Sequence, residues 1–197
     1  VRGVQKELNS NDTSAEATEL QSLTAFNSDG FSVGTRLGVN DADETFVAWQ
    51  WLESATAGFD MVTYTGNETN RTISHSLGVV PELIIVKLTS GADSWTVYHA
   101  DNYTTPATDA LTLDSTATTA EASTFWNDTA PTSSVFSVGT GGRTNTDGGT
   151  LIAYLWASVE GFSKIGYYRG DGSADGPFAW CGFRPAMIFL KRINAVE

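Results

Sequence analysis

Short apolar runs recur along the chain roughly every 10 residues, separated by turn residues, and almost nothing follows the 3.6-residue period of a helix. Phe31 and Val33 alternate with polar neighbours after the turn-forming Asn27-Ser-Asp-Gly30, which predicts a half-buried strand. Phe46 to Trp51 and Leu151 to Trp156 are almost wholly apolar, which predicts strands buried on both faces. Phe59 to Thr65 and Phe162 to Tyr168 read as strands closed by Gly66-Asn67 and Gly170-Asp171 turns. Leu83 to Lys87 and Met187 to Lys191 read as short buried strands introduced by Pro81 and Pro185. Trp95 to His99 alternates cleanly, and Leu111 to Leu113 reads as a minor strand. Thr13-Ser-Ala-Glu16 and Thr118-Thr-Ala-Glu121 have the form of capping boxes and predict one or two helical turns each. The fold class that follows is all-β: tandem β-sandwich units, jelly-roll or concanavalin-like, with only short helical turns.

These elements come in pairs because the chain repeats itself. Phe31-Ser-Val-Gly-Thr35 is spelled again at Phe136 to Thr140, an offset of 105, and Phe46 to Trp51 meets Leu151 to Trp156 at the same offset. Gly58-Phe59 answers Gly161-Phe162, and Gly78 to Lys87 answers Gly182 to Lys191 at an offset of 104. The framing is permuted. Residues 56–157 hold one complete unit, and residues 1–55 plus 158–197 hold most of a second, lacking a counterpart of Trp95 to His99. The reading expects both pentapeptides on superposable strands, and Trp51 and Trp156, held in both copies, in cores. It further expects the ends to close on each other, with Met187 to Leu190 sharing a core with Phe46 to Trp51 and the uncovered edge meeting a neighbouring subunit. The sequence reads as a piece of a longer or processed chain.

Charge narrows the partners. The formal net charge is −12, and the 11 Lys and Arg form no stripe, which argues against nucleic acid, since phosphate binding needs clustered cations. An acidic, Thr- and Asn-rich surface suits a soluble multi-copy assembly in a saline exterior. No apolar run approaches the ~18 residues of a membrane span, so no membrane insertion is expected. Cys181 is the single cysteine, is answered by Leu77, and reads as a small apolar filler.

The chemistry-bearing residues are sparse. His75 and His99 lack nucleophile or metal-ligand spacing and read as structural. Asp41 and Asp43, and Asp171 and Asp175, are spaced as hard-cation loops can be, but neither loop has the full calcium pattern, so Ca²⁺ is a weak candidate and no other cofactor is expected. The predicted strands carry almost no acids, which disfavours a sandwich hydrolase and any enzyme. Trp126 aligns with Gln21 and Trp180 with Ser76. Lacking a Trp counterpart, these two and Trp95, with Tyr167, Tyr168 and Arg169 beside a turn, are the better ligand-stacking candidates, although packing is the commoner role of such rings. Five Asn-x-Ser/Thr triplets, from Asn11 to Asn127, arise from composition.

The phrases Gly58-Phe-x-x-Val-Thr-Tyr-Thr-Gly-Asn67, His75-Ser-Leu-Gly-Val-Val-Pro-Glu-Leu-Ile-Ile-Val-Lys87 and Trp95-Thr-Val-Tyr-His99 resemble a repeat of structural proteins of tailed bacteriophages, notably marine ones. The resemblance covers nearly the whole chain. It implies a non-enzymatic virion protein on the particle surface: a tail fibre, appendage or capsid-decorating protein. Its expected partners are other virion subunits, copies of itself and host-surface polysaccharide. It brings no catalytic or binding residues with it. The alternative is a carbohydrate-binding module or adhesin of a secreted bacterial protein.

Overall fold

A computed structural model of the protein describes residues 2–102 and 105–194. In chain order the first elements are β1 (Lys6–Glu7), β2 (Ala17–Thr18), β3 (Leu23–Phe26), β4 (Phe31–Val33) and the one-turn helix α1 (Leu37–Asn40). Then come β5 (Phe59–Thr65), β6 (Arg71–Ser74), β7 (Leu83–Leu88), β8 (Thr96–His99), β9 (Asp109–Thr112) and β10 (Ala120–Glu121). The short helix α2 (Ser123–Trp126), β11 (Val135–Val138), α3 (Gly142–Asn145) and β12 (Thr150–Trp156) complete the set. The fold is all-β and sandwich-like, with helix only in single turns.

The main sheet has six strands in the order β10-β9-β8-β7-β12-β5, each pair antiparallel. β12 is its centre. Leu151, Ala153 and Leu155 register with Leu88, Val86 and Ile84 on one side and with Tyr64, Val62 and Asp60 on the other. Because strand side chains alternate, these residues share one face. The β6–β11 pair covers it with Ile73, Phe136 and Val138, and Trp126 and Tyr98 fill the remaining space. Leu151, Ala153, Leu155 and Val86 are completely buried. Each fully buried Leu or Val stabilises by about 1.5–3 kcal/mol, so this face carries most of the fold.

The opposite face is crossed by the N-terminal segment. Trp95 Nε1 donates to Asn9 O at 2.9 Å, and the backbone N–H groups of Glu16 and Asp93 donate to Thr89 O and Thr13 O. Lys87 lies on this face with no exposure, its Nζ donating to Thr13 O, Leu88 O and Asp93 O at 3.2, 3.0 and 2.9 Å. Three carbonyls replace its water, and burial holds the amine below its ordinary range against the opposing pull of Asp93, Asp114 and Asp12.

Both repeats build the same strand–glycine–helix turn. Gly34 N donates to Ser22 O and Arg36 N to Gln21 O; Gly139 N donates to Phe125 O and Gly141 N to Thr124 O. A Cβ on Gly34 would run into the Gln21 carbonyl, and one on Gly139 into that of Thr124, so both copies need glycine for close backbone approach. Asn40 and Asn145 sit at matching helix ends and donate to Gly34 O and Gly139 O. The surroundings differ: β4 pairs with β3 in a hairpin, whereas β11 pairs with β6 and is buried.

Several sequence expectations need correction. Phe46 to Trp51, Phe162 to Tyr168 and Met187 to Lys191 form no strands, and Val47, Trp49, Phe162, Ile188 and Phe189 are all well exposed. The physical reason is that the three are one another's expected partners and, among the described residues, none is paired with another into a strand, so their apolar pattern is left unpaired. Among the described residues no backbone hydrogen bond joins Phe46–Trp51 to Met187–Leu190, so the expected closure of the ends is not seen within the chain. Val1 and residues 195–197 of the expected second unit lie outside the described residues. Trp51 is 47% exposed rather than core, while Trp156 is half-buried. Neither capping box opens a helix: Glu16 pairs through its carboxylate with Arg2 Nε at 2.8 Å, and Glu121 registers with Asp109 in the sheet.

Candidate functional site

The sheet register lines up aromatic rings on the face away from the core. Trp156 registers with Phe59 and Tyr154 two residues earlier with Met61, so their side chains stand on one side. Tyr154 and Trp156 stack at 6.2 Å between centroids, and Trp95 extends the row from Tyr154 at 6.3 Å. At the other end Phe59 lies 5.0 Å from Trp156, and Trp51 closes over both at 6.3 and 6.1 Å. With Ile85 and Leu113 these rings line a shallow cleft of about 230 Å³.

The polar atoms of this row are already engaged. Trp95 Nε1 is bound to Asn9 O, and Tyr154 OH accepts from Arg2 Nη1 at 3.4 Å. Burial pushes the Tyr154 phenol up, with Arg2 opposing. The cleft therefore offers stacking and apolar surface, and its chemistry suits an apolar side chain better than a hydroxyl-rich sugar. A family model described as a domain of unknown function, DUF7483, matches residues 1–197. The chain belongs to that family. No curated protein and no solved structure matches it.

Of the sequence-derived ligand candidates Trp95 lines the cleft, and the others fall in two places away from it. Trp126 is 1% exposed, set edge-on to Tyr98 at 5.8 Å, with Nε1 donating to Asp109 O at 3.1 Å, so no ring face is open to a ligand. Trp180, Tyr167, Tyr168 and Arg169 are exposed along the irregular segment after β12. Asp41, Asp43, Asp171 and Asp175 are all exposed. Among the described residues no group of three or more His, Cys, Asp or Glu is placed to hold a metal ion.

The other titratable groups serve the fold. Asp60 is buried and accepts from the backbone N–H groups of Met61 and Ser76. His75 Nε2 lies 3.1 Å from Thr132 O while Nδ1 accepts from Leu77 N, which assigns the proton to Nε2. Cys181 Sγ lies against Phe183 O at 2.9 Å. Sequence reasoning singled out Trp95 but missed the row it joins with Tyr154, Trp156 and Phe59. Period-two spacing of Tyr154 and Trp156 was the available signal, but the partner strand was not.

Proposed function

We propose that this protein is a non-enzymatic structural protein of a tailed-phage virion, exposed on the particle as part of a fibre, appendage or capsid decoration and built from repeated β units. The observation that carries the reading is the exposed apolar sequence in both parts of the permuted unit, Phe46 to Leu52 and Phe178 to Leu190, on a chain with net charge −12. Large apolar side chains left exposed in such number favour contact with other protein, and the acidic remainder favours solubility between contacts. The buried Asp60, His75 and Lys87 are each committed to backbone groups, which supports scaffolding rather than catalysis. Mass spectrometry of gradient-purified particles tests it: the chain is expected at a fixed ratio to the capsid protein. Its absence from particles, with free chain in the culture fluid, overturns the reading.

A second reading, a carbohydrate-binding module or adhesin of a secreted protein, is favoured by the exposure of Trp180 (74%) and Tyr167 (72%). Flat exposed rings stack on sugars, and contact with host polysaccharide is compatible with either setting. Glycan-array binding that disappears in Trp180→Ala supports it.

A further inference from the structure

We propose that a second β unit forms between two copies of the chain, the half within residues 21–51 of one copy docking on the half within residues 162–191 of the other. This inference stands on the repeat and does not depend on the virion reading.

The folded unit supplies the template. There the 150–156 strand lies between the 59–65 and 83–88 strands, and the three bury one another. Their repeat counterparts, 45–51, 162–168 and 187–191, have the same apolar character and none of the burial. Leu151 is 0% exposed and its counterpart Phe46 is 48%; Ile84 is 1% and its counterpart Ile188 is 68%. In the folded unit these segments are covered by each other, and the same cover is what the second unit's segments lack.

The first of these halves is already shaped for docking. Its strand–glycine–helix turn matches that of the folded unit, down to the Asn40 bond to Gly34 O. In the folded unit the equivalent Asn145 also reaches the other half, donating to Thr69 O at 2.9 Å and accepting from Asn67 N at 3.0 Å. By the 104-residue offset those two positions are Ser173 and Asp171, so Asn40 is the side chain that would read them. Phe31, 43% exposed against 1% for Phe136, would be covered by the same event.

A second copy is the occupant because the chain holds its own halves apart. Trp51 is seated against Phe59 and Trp156, whereas Lys191 Nζ bonds to Ser115 O at 2.7 Å and Thr119 N donates to Ile193 O. Every copy carries both halves, so two copies can close as a reciprocal pair or extend head to tail. Gln50 stands where the folded unit has the fully buried Leu155, which makes the joint weaker than the fold and the association reversible.

Light scattering on the 197-residue chain tests this with two variants, Phe46→Asp and Ile188→Asp, each at an exposed site outside the folded unit. The wild type is expected at a mass of two or more copies of the 21.1 kDa chain. Each variant alone is expected at one copy, with wild-type near-UV circular dichroism, and mixing the two is expected to restore a 1:1 complex through their intact halves. A wild type that stays at one copy at every concentration overturns the proposal; if its 46–51 amides are nonetheless protected from exchange, the halves have closed within the chain. Variants that associate alone, or fail to combine, overturn it too.

Discussion

Trp126 and Trp180 carry the same ring into opposite surroundings. Trp126 is walled in by Tyr98 and hydrogen-bonded to Asp109 O, so Trp126→Ala is expected to cost about 3–5 kcal/mol in urea unfolding. Trp180→Ala, at a 74% exposed site, is expected within about 0.5 kcal/mol of wild type. His99 gives the fold a pH dependence. Burial holds its imidazole below the ordinary 6.5, against the pull of Asp101 and Glu82. The unfolded chain then binds the proton more readily, so this contribution is complete above pH 6.5 and declines as pH falls through the depressed folded value. Thermal melts between pH 7 and 5 are expected to show a falling Tm, with a shallower slope in His99→Asn; an unchanged slope refutes the assignment.

At the scale of elements, the strand–glycine–helix turn is one design in two settings. Gly139→Ala drives a Cβ into the Thr124 carbonyl inside the packed unit and is expected to lower the global melting transition by several degrees. Gly34→Ala meets the same obstruction at Gln21 but in a half outside the main sheet, so it is expected to leave that transition in place and weaken association between copies. The sequence showed the shared strand plainly, because Phe-Ser-Val-Gly-Thr is identical in both copies, but it read the following stretch as loop, and the helical turn and the glycine's steric role came only with the fold. The 59–65, 83–88 and 150–156 strands were equally legible. The strand 71–74 was not, since Arg71-Thr-Ile-Ser74 has too little apolar content to stand out without its partner Val135–Val138. Phe46 to Trp51 misled for the converse reason. Apolar sequence states what a segment can pair with, and whether its partner strands come alongside is a tertiary fact. The ligand candidates fared similarly: lack of a Trp counterpart cannot separate the buried Trp126 from the exposed Trp180.

Across the whole molecule the balance is between apolar surface that draws copies together and a net charge of −12 that keeps them apart. Screening shortens the repulsion to about 3 Å at 1 M salt from about 30 Å at 0.01 M. Adding salt is therefore expected to shift the chain toward paired species in sedimentation, whereas assembly through ion pairs would weaken. The proposed joint between copies makes segments 46–51 and 187–190 buried strands when, and only when, another copy is present. Hydrogen exchange across a dilution series measures this directly. The expected result is that amides of 84–88 and 151–155 stay protected at every concentration, while those of 46–51 and 187–190 are protected in concentrated samples and lose protection together on dilution. Protection of the latter pair that is independent of concentration, or absent throughout, contradicts it.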